Sequence, residues 1–401
     1  MAVVVQKYGG SSIATLEKIK AVASRISKRR ERGDKIVVVV SAMGKTTDSL
    51  INMANSLSDN PDKRELDMLI STGEQVSISL MSMALQNEGC ESVSLTGMQA
   101  GIQTKGFHSK ARIEHIDLTN LKNHLNEDKV VVVAGFQGVN HNGDITTLGR
   151  GGSDTTAVAL SAKLNCNCEI YTDVDGIYTV DPRLFPTARK LKSISYEEML
   201  EMASLGAGVM ETRSVEIAQK YGVKVYVALN TGQWEGTYIK ESDNTMESKA
   251  ITGLSLSDKD LMVTIDNVKY DIQNISYIFN ELASKDINID MISQTAPAGG
   301  HVSLSFTAPK TDEKTILDIL EDVERKIGNI NVEIEKDITK LSVVGIGMRS
   351  QSGVAAKVFH ILASNNIQFK QVTTSEIRIS YTIDTSDRQR ALEAVANEFN
   401  L

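Results

Sequence analysis

Two glycine-rich stretches bring together the groups that anion chemistry needs. Val5-Gln6-Lys7-Tyr8-Gly9-Gly10-Ser11-Ser12 leaves a strand and opens a helix. Paired glycines let backbone N–H groups come close to an anion, and the helix start adds the positive end of its dipole. Lys7, at the strand tip, sits where it can meet the same phosphates as a point charge. Thr146-Thr147-Leu148-Gly149-Arg150-Gly151-Gly152-Ser153-Asp154 stands before another helix. Arg150 can take a substrate carboxylate through two parallel hydrogen bonds. The Gly151 and Gly152 backbones can approach that carboxylate or a phosphoryl oxygen, and Asp154 can cap the helix or orient a lysine and a substrate amine. A purely structural loop rarely needs this mixture.

Three weaker stretches lie at other strand and helix ends. Ser41-Ala42-Met43-Gly44-Lys45-Thr46-Thr47 resembles the end of a phosphate-binding P-loop, but Val39 stands where the first glycine is required. Its hydroxyls and backbone donors still lie just past a buried strand, where ligands of open α/β sheets collect. In Ser71-Thr72-Gly73-Glu74-Gln75, Ser71 with Glu74 fits a capping box, and as a functional group Glu74 would offer a carboxylate to a substrate ammonium. Thr172-Asp173-Val174-Asp175-Gly176-Ile177-Tyr178 hints at a calcium loop and fails as one, with Tyr178 at the glycine position and Leu184 at the bidentate glutamate position. A nucleotide fits better: Tyr178 can pack on a base or sugar, and Arg183 can meet a phosphate.

The elements that must position these residues read as α/β up to about residue 245. Apolar runs without alternation at Ala2–Gln6, Ile36–Ser41, Val130–Phe136, Glu169–Thr172 and Val223–Ala228 alternate with amphipathic stretches at Leu16–Arg29, Asp67–Asn87, Asp154–Leu164 and Ser195–Tyr221. Buried Val- and Ile-rich runs separated by helices argue for a mainly parallel sheet sandwiched by helices. The polar tract 240–249 reads as a linker. After it a strand-helix-strand-strand-helix order occurs twice, with Leu261 over Leu341 and Leu282-Ala283-Ser284 over Leu362-Ala363-Ser364, an offset of about 80 residues. Each copy approaches the ferredoxin-like βαββαβ unit, whose edge strands pair readily within or between chains. The expected domains are 1–245, 250–335 and 336–401.

Composition narrows the function classes. The chain has 401 residues, 41% apolar and 23% charged, and a net charge of −8. That excludes a disordered or collagen-like chain and makes nucleic acid and anionic membrane poor default partners, so any anion must be met by a local positive site. No apolar run reaches the ~18–20 residues of a membrane helix, and the N-terminus runs into a strand without a signal-peptide pattern, so a cytoplasmic protein is expected. Cys90, Cys166 and Cys168 read as free thiols, without a zinc set. The six histidines are dispersed and there is no G-x-S-x-G elbow, so hydrolase and metalloprotease chemistry has no support and no metal site is expected.

Taken in order and spacing, Lys7–Ser12, Ser41–Thr47, Gly73-Glu74, Gly149–Asp154 and Thr172–Arg183 resemble the aspartokinase family of the amino acid kinase fold. The duplicated C-terminal unit is similar to that family's paired ACT domains, and the likeness covers essentially the whole chain. The resemblance implies an enzyme that uses ATP with Mg²⁺ to phosphorylate the L-aspartate side-chain carboxylate to 4-phospho-L-aspartate, at the head of lysine, threonine and methionine biosynthesis. It assigns Lys7 to the transferring phosphoryl group, and Asp154 to orienting Lys7 and the substrate amine. Aspartate falls to Ser41, Thr47, Glu74, Arg150, Gly151, Gly152 and Ser153; ATP falls to Lys7, Tyr8, Gly9, Gly10, Thr172, Asp173, Tyr178 and Arg183. Gly208 stands where many relatives carry a lysine against the nucleotide, so contact there could only be through the backbone.

The chemistry agrees with that assignment. A carboxylate with a reference pKa near 3.9 is ionised at neutral pH and needs no general base. Phosphoryl transfer to it needs charge neutralisation and in-line placement. The ACT resemblance implies feedback by an amino acid bound by Asn288, Ile289, Asp290 and Gln294 in one copy and Gly353, Val354, Asn366 and Ile367 in the other. Asp290 favours a cationic effector, hence lysine, alone or with threonine. A homodimer or dimer of dimers through the ACT domains is expected. Two alternatives stay open: a kinase of another small acid such as glutamate, and a non-catalytic amino-acid sensor.

Overall fold

A computed structural model describes residues 2–206, 208–242 and 249–401, which fall into two compact units. The first unit holds an eight-stranded sheet. Its order in space is Ser193–Ser195, Thr237–Lys240, Val225–Leu229, Asn167–Thr172, Val3–Tyr8, Lys35–Val40, Val130–Ala134, Ser92–Leu95. All pairings are parallel except that of Val225–Leu229 with Thr237–Lys240. Val37–Val40 and Val131–Ala134 are fully buried, as expected of strands covered on both faces. Val3–Tyr8 sits centrally, with the next strand in the chain, Lys35–Val40, on one side and Asn167–Thr172 on the other, so that strand marks the switch point where a crevice opens. Its register sets Tyr8 level with Val40 and Tyr171, and three strands therefore release their loops at one edge.

Helix Leu16–Arg30 covers one face of this sheet. Thr15 caps its first turn, Glu17 and then Lys28, Arg29 and Arg30 complement its dipole, and Ile19, Val22, Ala23 and Ile26 form its buried stripe. Two helices expected to be continuous are broken. The Asp67–Asn87 stretch forms Lys63–Ile70 and Thr72–Asn87, because the hydroxyls of Ser71 and Thr72 bond back to the carbonyls of Met68 and Leu69 at 2.9 and 2.7 Å. The Ser195–Tyr221 stretch forms Tyr196–Ser204 and Thr212–Tyr221, separated where Gly206 and Gly208 take φ values of 100° and 39°. A small sheet that sequence reading missed joins Arg112–Ile116, Ile102–Lys105, Gln137–Val139 and Ile145–Thr147. Its strands are too short and polar to show a period.

The second unit contains two four-stranded antiparallel sheets of the same spatial order. One runs Asp290–Gln294, His301–Pro309, Asp260–Lys269, Asn331–Glu335, with helices Ile272–Ser284 and Glu313–Ile327. The other runs Phe369–Thr374, Arg378–Asp384, Ile338–Val344, Gly253–Ser257, with helices Val354–Ser364 and Arg388–Glu398. The duplication extends to detail, for Asp286 and Asn366 take the same left-handed conformation, φ 58° and 52°.

Here the expected boundaries at 250–335 and 336–401 need correction. Gly253–Ser257 pairs with Ile338–Val344, Leu254 against Val343 and Leu256 against Leu341. The second copy therefore takes its fourth strand from ahead of the first copy, which is inserted as 260–335. Residues 336–401 contain only three strands, and an open edge along Ile338–Val344 would otherwise remain. The expected limit 1–245 also shifts, because Tyr178–Arg189 belongs to the second unit, where Val180 and Phe185 join the core around Val358, Ile361 and Leu392. Of the expected linker, Lys240 ends a strand and residues 243–248 lie outside the described residues. No helix among the described residues is long and apolar enough to cross a membrane.

Candidate active site

At the level edge of the first sheet, Lys7 is 8% exposed and its Nζ lies 2.6 Å from Oδ1 of Asp154. Strand alternation turns Lys7 towards helix Gly152–Leu164, whose first turn carries Asp154. Gly9 follows; a Cβ there would stand 3.5 Å from Lys7 Nζ. At Gly10 a Cβ would meet the Ala42 carbonyl oxygen at 2.7 Å, so this turn and the loop after Lys35–Val40 can touch only through glycine. Gly44 N–H donates to the Gly10 carbonyl at 3.0 Å and closes the contact.

The remaining aspartate candidates join the same edge. The Ser41 and Ser153 hydroxyls are 2.8 Å apart. Glu74 is 3% exposed; its Oε1 accepts from Ala42 N–H at 2.9 Å, while Oε2 is buried with no hydrogen-bond partner among the described residues. Burial pushes its carboxyl up to about 7, against the pull of the Ala42 hydrogen bond. The capping-box reading of Ser71 and Glu74 is thus corrected: the Ser71 side chain makes no N-cap hydrogen bond and Glu74 spans to another loop. Thr47 is half-buried in the first turn of helix Thr46–Leu57. Gly151 takes φ 64° as the cap of helix Gly152–Leu164, and Arg150 beside it is exposed.

Sequence reading missed four supports of this loop. Gly135 follows strand Val130–Ala134, and a Cβ there would stand 2.7 Å from Ser153 Cβ and 3.0 Å from the Val40 carbonyl oxygen. Asp67, fully buried, accepts from Thr147 N–H and hydroxyl at 3.0 and 2.6 Å, from Ser109 N–H and hydroxyl, and lies 3.0 Å from His108 Nδ1. Arg213 donates to the carbonyls of Leu148 and Ala111 at 2.6 and 3.1 Å. Glu211 lies against Gly151, where a Cβ would meet its Cβ at 2.4 Å. Burial and the charge of Asp154 push the Glu211 carboxyl up, while Arg150 and Arg213 pull it down. None of the four follows a spacing rule, because each acts on a segment distant in sequence.

The nucleotide candidates divide. Thr172 ends its strand and its hydroxyl donates to Asp173 at 3.1 Å. The Tyr8 side chain is fully buried on the sheet face opposite Lys7, stacked on Tyr171 at 5.0 Å, so only its backbone is left for ATP. Tyr178 and Arg183 belong to the second unit, where the Arg183 guanidinium lies 2.7 Å from Asp181. Gly208 is exposed.

The effector candidates divide too. Gly353 and Val354 line a groove of about 630 Å³ with Met348, Thr374 and Glu376. Asn366 and Ile367 lie past the far end of helix Val354–Ser364, do not line that groove, and Ile367 is a core residue. Asp290 is not free for a ligand amine: Lys340 Nζ lies 2.9 Å from it and Arg378 3.7 Å. Burial raises its carboxyl, but the Lys340 charge and hydrogen bond outweigh that and hold it low. Asn288 and Gln294 are exposed at opposite ends of Asp290–Gln294, and Ile289 is half-buried.

Comparison with known proteins places this geometry. The amino acid kinase family model matches residues 2–229, and an ACT domain model matches residues 341–399. An aspartokinase of Bacillus sp. (strain MGA3) is 46% identical over 402 residues, spanning 100% of this chain and 98% of that protein. The structure of E. coli aspartokinase III in complex with aspartate and ADP shares the fold at a TM-score of 0.82 and 22% identity, covering 98% of this chain and 99% of that one. The same E. coli protein in complex with lysine and aspartate gives 0.77 at 21% identity, with 99% of each chain covered. A lysine–aspartate pair at the switch point of a parallel sheet, ahead of tandem ACT units and along a full-length likeness, has one reading: the chain belongs to the aspartokinase family and is an aspartate kinase.

Proposed function

We propose that the first unit transfers the γ-phosphoryl group of ATP to the side-chain carboxylate of L-aspartate and forms 4-phospho-L-aspartate, with Mg²⁺ entering on the nucleotide. The observation that carries this is the Lys7–Asp154 pair at 2.6 Å at the same strand ends as the unpartnered Oε2 of Glu74 and the Gly149–Ser153 loop. Lys7 neutralises the transferring phosphoryl group, and Asp154 holds the lysine in place. Glu74 takes the substrate ammonium, while Arg150 takes the α-carboxylate. Ser41, Thr47, Ser153 and the amides of Gly151 and Gly152 fix the remaining oxygens. The side-chain carboxylate attacks in line as an anion and no proton need be removed. Gly9, Gly10, Thr172, Asp173 and the Tyr8 backbone cradle the nucleotide.

The second unit senses an end product. Lysine, alone or with threonine, is the favoured effector, supported by the lysine complex of the E. coli enzyme. The groove at Gly353 and Val354 is its seat in the second copy, and the chain assembles as a homodimer or dimer of dimers through these units in the cytoplasm. The product would open the lysine, threonine, methionine and diaminopimelate routes. ADP release with aspartate, glutamate or no acceptor, with the acyl phosphate trapped by hydroxylamine, tests the reading. Turnover only with aspartate is expected; equal turnover with glutamate, or none with either, overturns it. Repeating the assay with lysine and with threonine tests the regulatory half, which fails if neither inhibits.

A further inference from the structure

The sheet face opposite Lys7 carries charge that the kinase reaction does not use. Helix Leu16–Arg30 and the turn after it line a cleft of about 920 Å³ with Lys18, Arg25, Lys28, Arg29 and Arg32, against the single carboxylate of Asp34. In a chain of net charge −8 this is a concentrated positive patch. Two of these cations are fixed. The Arg25 guanidinium lies 4.0 Å over the Tyr171 ring and donates to the Asn230 carbonyl, and a Cβ on Gly232 would stand 3.0 Å from it. Arg29 pairs with Asp34 at 3.0 Å and Glu169 at 2.5 Å. Lys28 and Arg32 are exposed and form no ion pair among the described residues. Like charges gathered in one concavity repel unless an anion joins them.

A second cleft of about 360 Å³ shares Arg25, Arg29 and Tyr171, adds the carboxylate of Glu169 and the cation of Lys224, and continues to Tyr226, Tyr238 and Trp234. Tyr226 and Tyr238 lie 4.7 Å apart, and Trp234 is 62% exposed. Both volumes fall in the range of small-molecule pockets, about 300–1,000 Å³. Arginines and lysines suit a phosphate chain, and the exposed Trp234 ring, beside a Tyr238 ring already covered by Lys224 at 4.1 Å, suits a planar ring. Strand alternation keeps the face apart from the active site: Lys7 reaches Asp154 on one side of its strand, while Gln6 bonds Glu169 on the other at 2.9 Å.

We propose that these joined clefts form a second anion site, for a ligand of the nucleoside triphosphate class, with its phosphates on Lys28, Arg32 and Arg25 and its ring on the Tyr226–Tyr238–Trp234 shelf. The chain has one tryptophan, so Trp234 emission reports this site directly. GTP titrated into the full chain is expected to change Trp234 emission saturably, and Lys28→Glu/Arg32→Glu to weaken that binding at least about tenfold. The variant's kcat and KM for aspartate, expected unchanged, certify its fold, and Lys28→Gln/Arg32→Gln gives a milder loss should the charge reversal not fold. Unaltered emission up to about 5 mM GTP, near the weak end of specific binding, overturns the proposal. So does a GTP signal that persists undiminished in both variants. Pyrophosphate binding as tightly as GTP overturns the ring half.

Discussion

Lys7 and Lys340 are almost equally buried, 8% and 5% exposed, and they are partnered differently. In the first unit Lys7 meets one carboxylate, Asp154, beside the Gly149–Ser153 loop. In the second unit Lys340 is held between Asp260 at 3.1 Å and Asp290 at 2.9 Å, joining the two ACT-like copies. A cation with one partner keeps field to spare for an arriving phosphate; a cation with two has spent it on the fold. Positions 260 and 340 occupy equivalent places in the duplicated strands, so the duplication supplied its own ion pair by giving the two copies opposite charges. Two buried carboxylates of the first unit repeat the contrast. Asp67 is fully hydrogen-bonded and braces the loop, whereas Glu74 keeps one oxygen open.

The largest effect should come from Lys7→Ala, with kcat lowered by about 10²–10³-fold or more, the loss typical of one transition-state charge stabiliser. A rate within a few-fold of the parent would mean that Lys7 is as structural as Lys340. Lys340→Met strands two carboxylates and should cost about 2–3 kcal/mol, less than a fully buried pair because Asp290 stays partly in water. Urea unfolding followed alongside kcat should show the stability loss with basal turnover intact, and a collapse of kcat without that loss would reverse the contrast.

Asp67→Asn replaces an acceptor with a donor facing Thr147 and Ser109, at a cost of about 1–3 kcal/mol. Thermal unfolding measures it, and a rise in KM for aspartate should accompany the looser loop; an unchanged melting temperature would deny Asp67 its bracing role. The smallest effect concerns pH. The Glu74 carboxyl, raised to about 7 by burial, is mostly neutral at pH 6 and mostly ionised at pH 8. Only the anion pairs with an ammonium, so KM for aspartate should fall about tenfold over that range and level off above it. Glu74→Gln should abolish the slope, and a variant that keeps it would transfer the titration to another group.

How much of this was legible before folding depends on the range of the interaction. Lys7, Gly9-Gly10 and Gly149–Asp154 were legible because strand tip, glycine turn and helix start are neighbours in the chain. The two ACT-like copies were legible from a repeat that local periodicity carries. Glu74 was visible as a carboxylate but its local partner was misread, since Ala42 N–H competes with Ser71 only once the chain is folded. Asp67, Gly135, Arg213 and Glu211 were invisible for the same reason. The exchanged strand Gly253–Ser257 also escaped, because its alternation of Leu254 and Leu256 fits either neighbouring copy equally well.

By itself, then, the order of residues determined the parallel core, the duplication and the glycine turns at the strand ends, since periodicity and turn chemistry act over a few positions. Tertiary structure alone decided which buried charges are neutralised and which are left open. It also decided that Tyr8 faces away from Lys7, and that Tyr178–Arg189 and Gly253–Ser257 serve the second unit and its second copy. Those choices rest on desolvation and on hydrogen bonds between segments far apart in the chain, which no local pattern encodes.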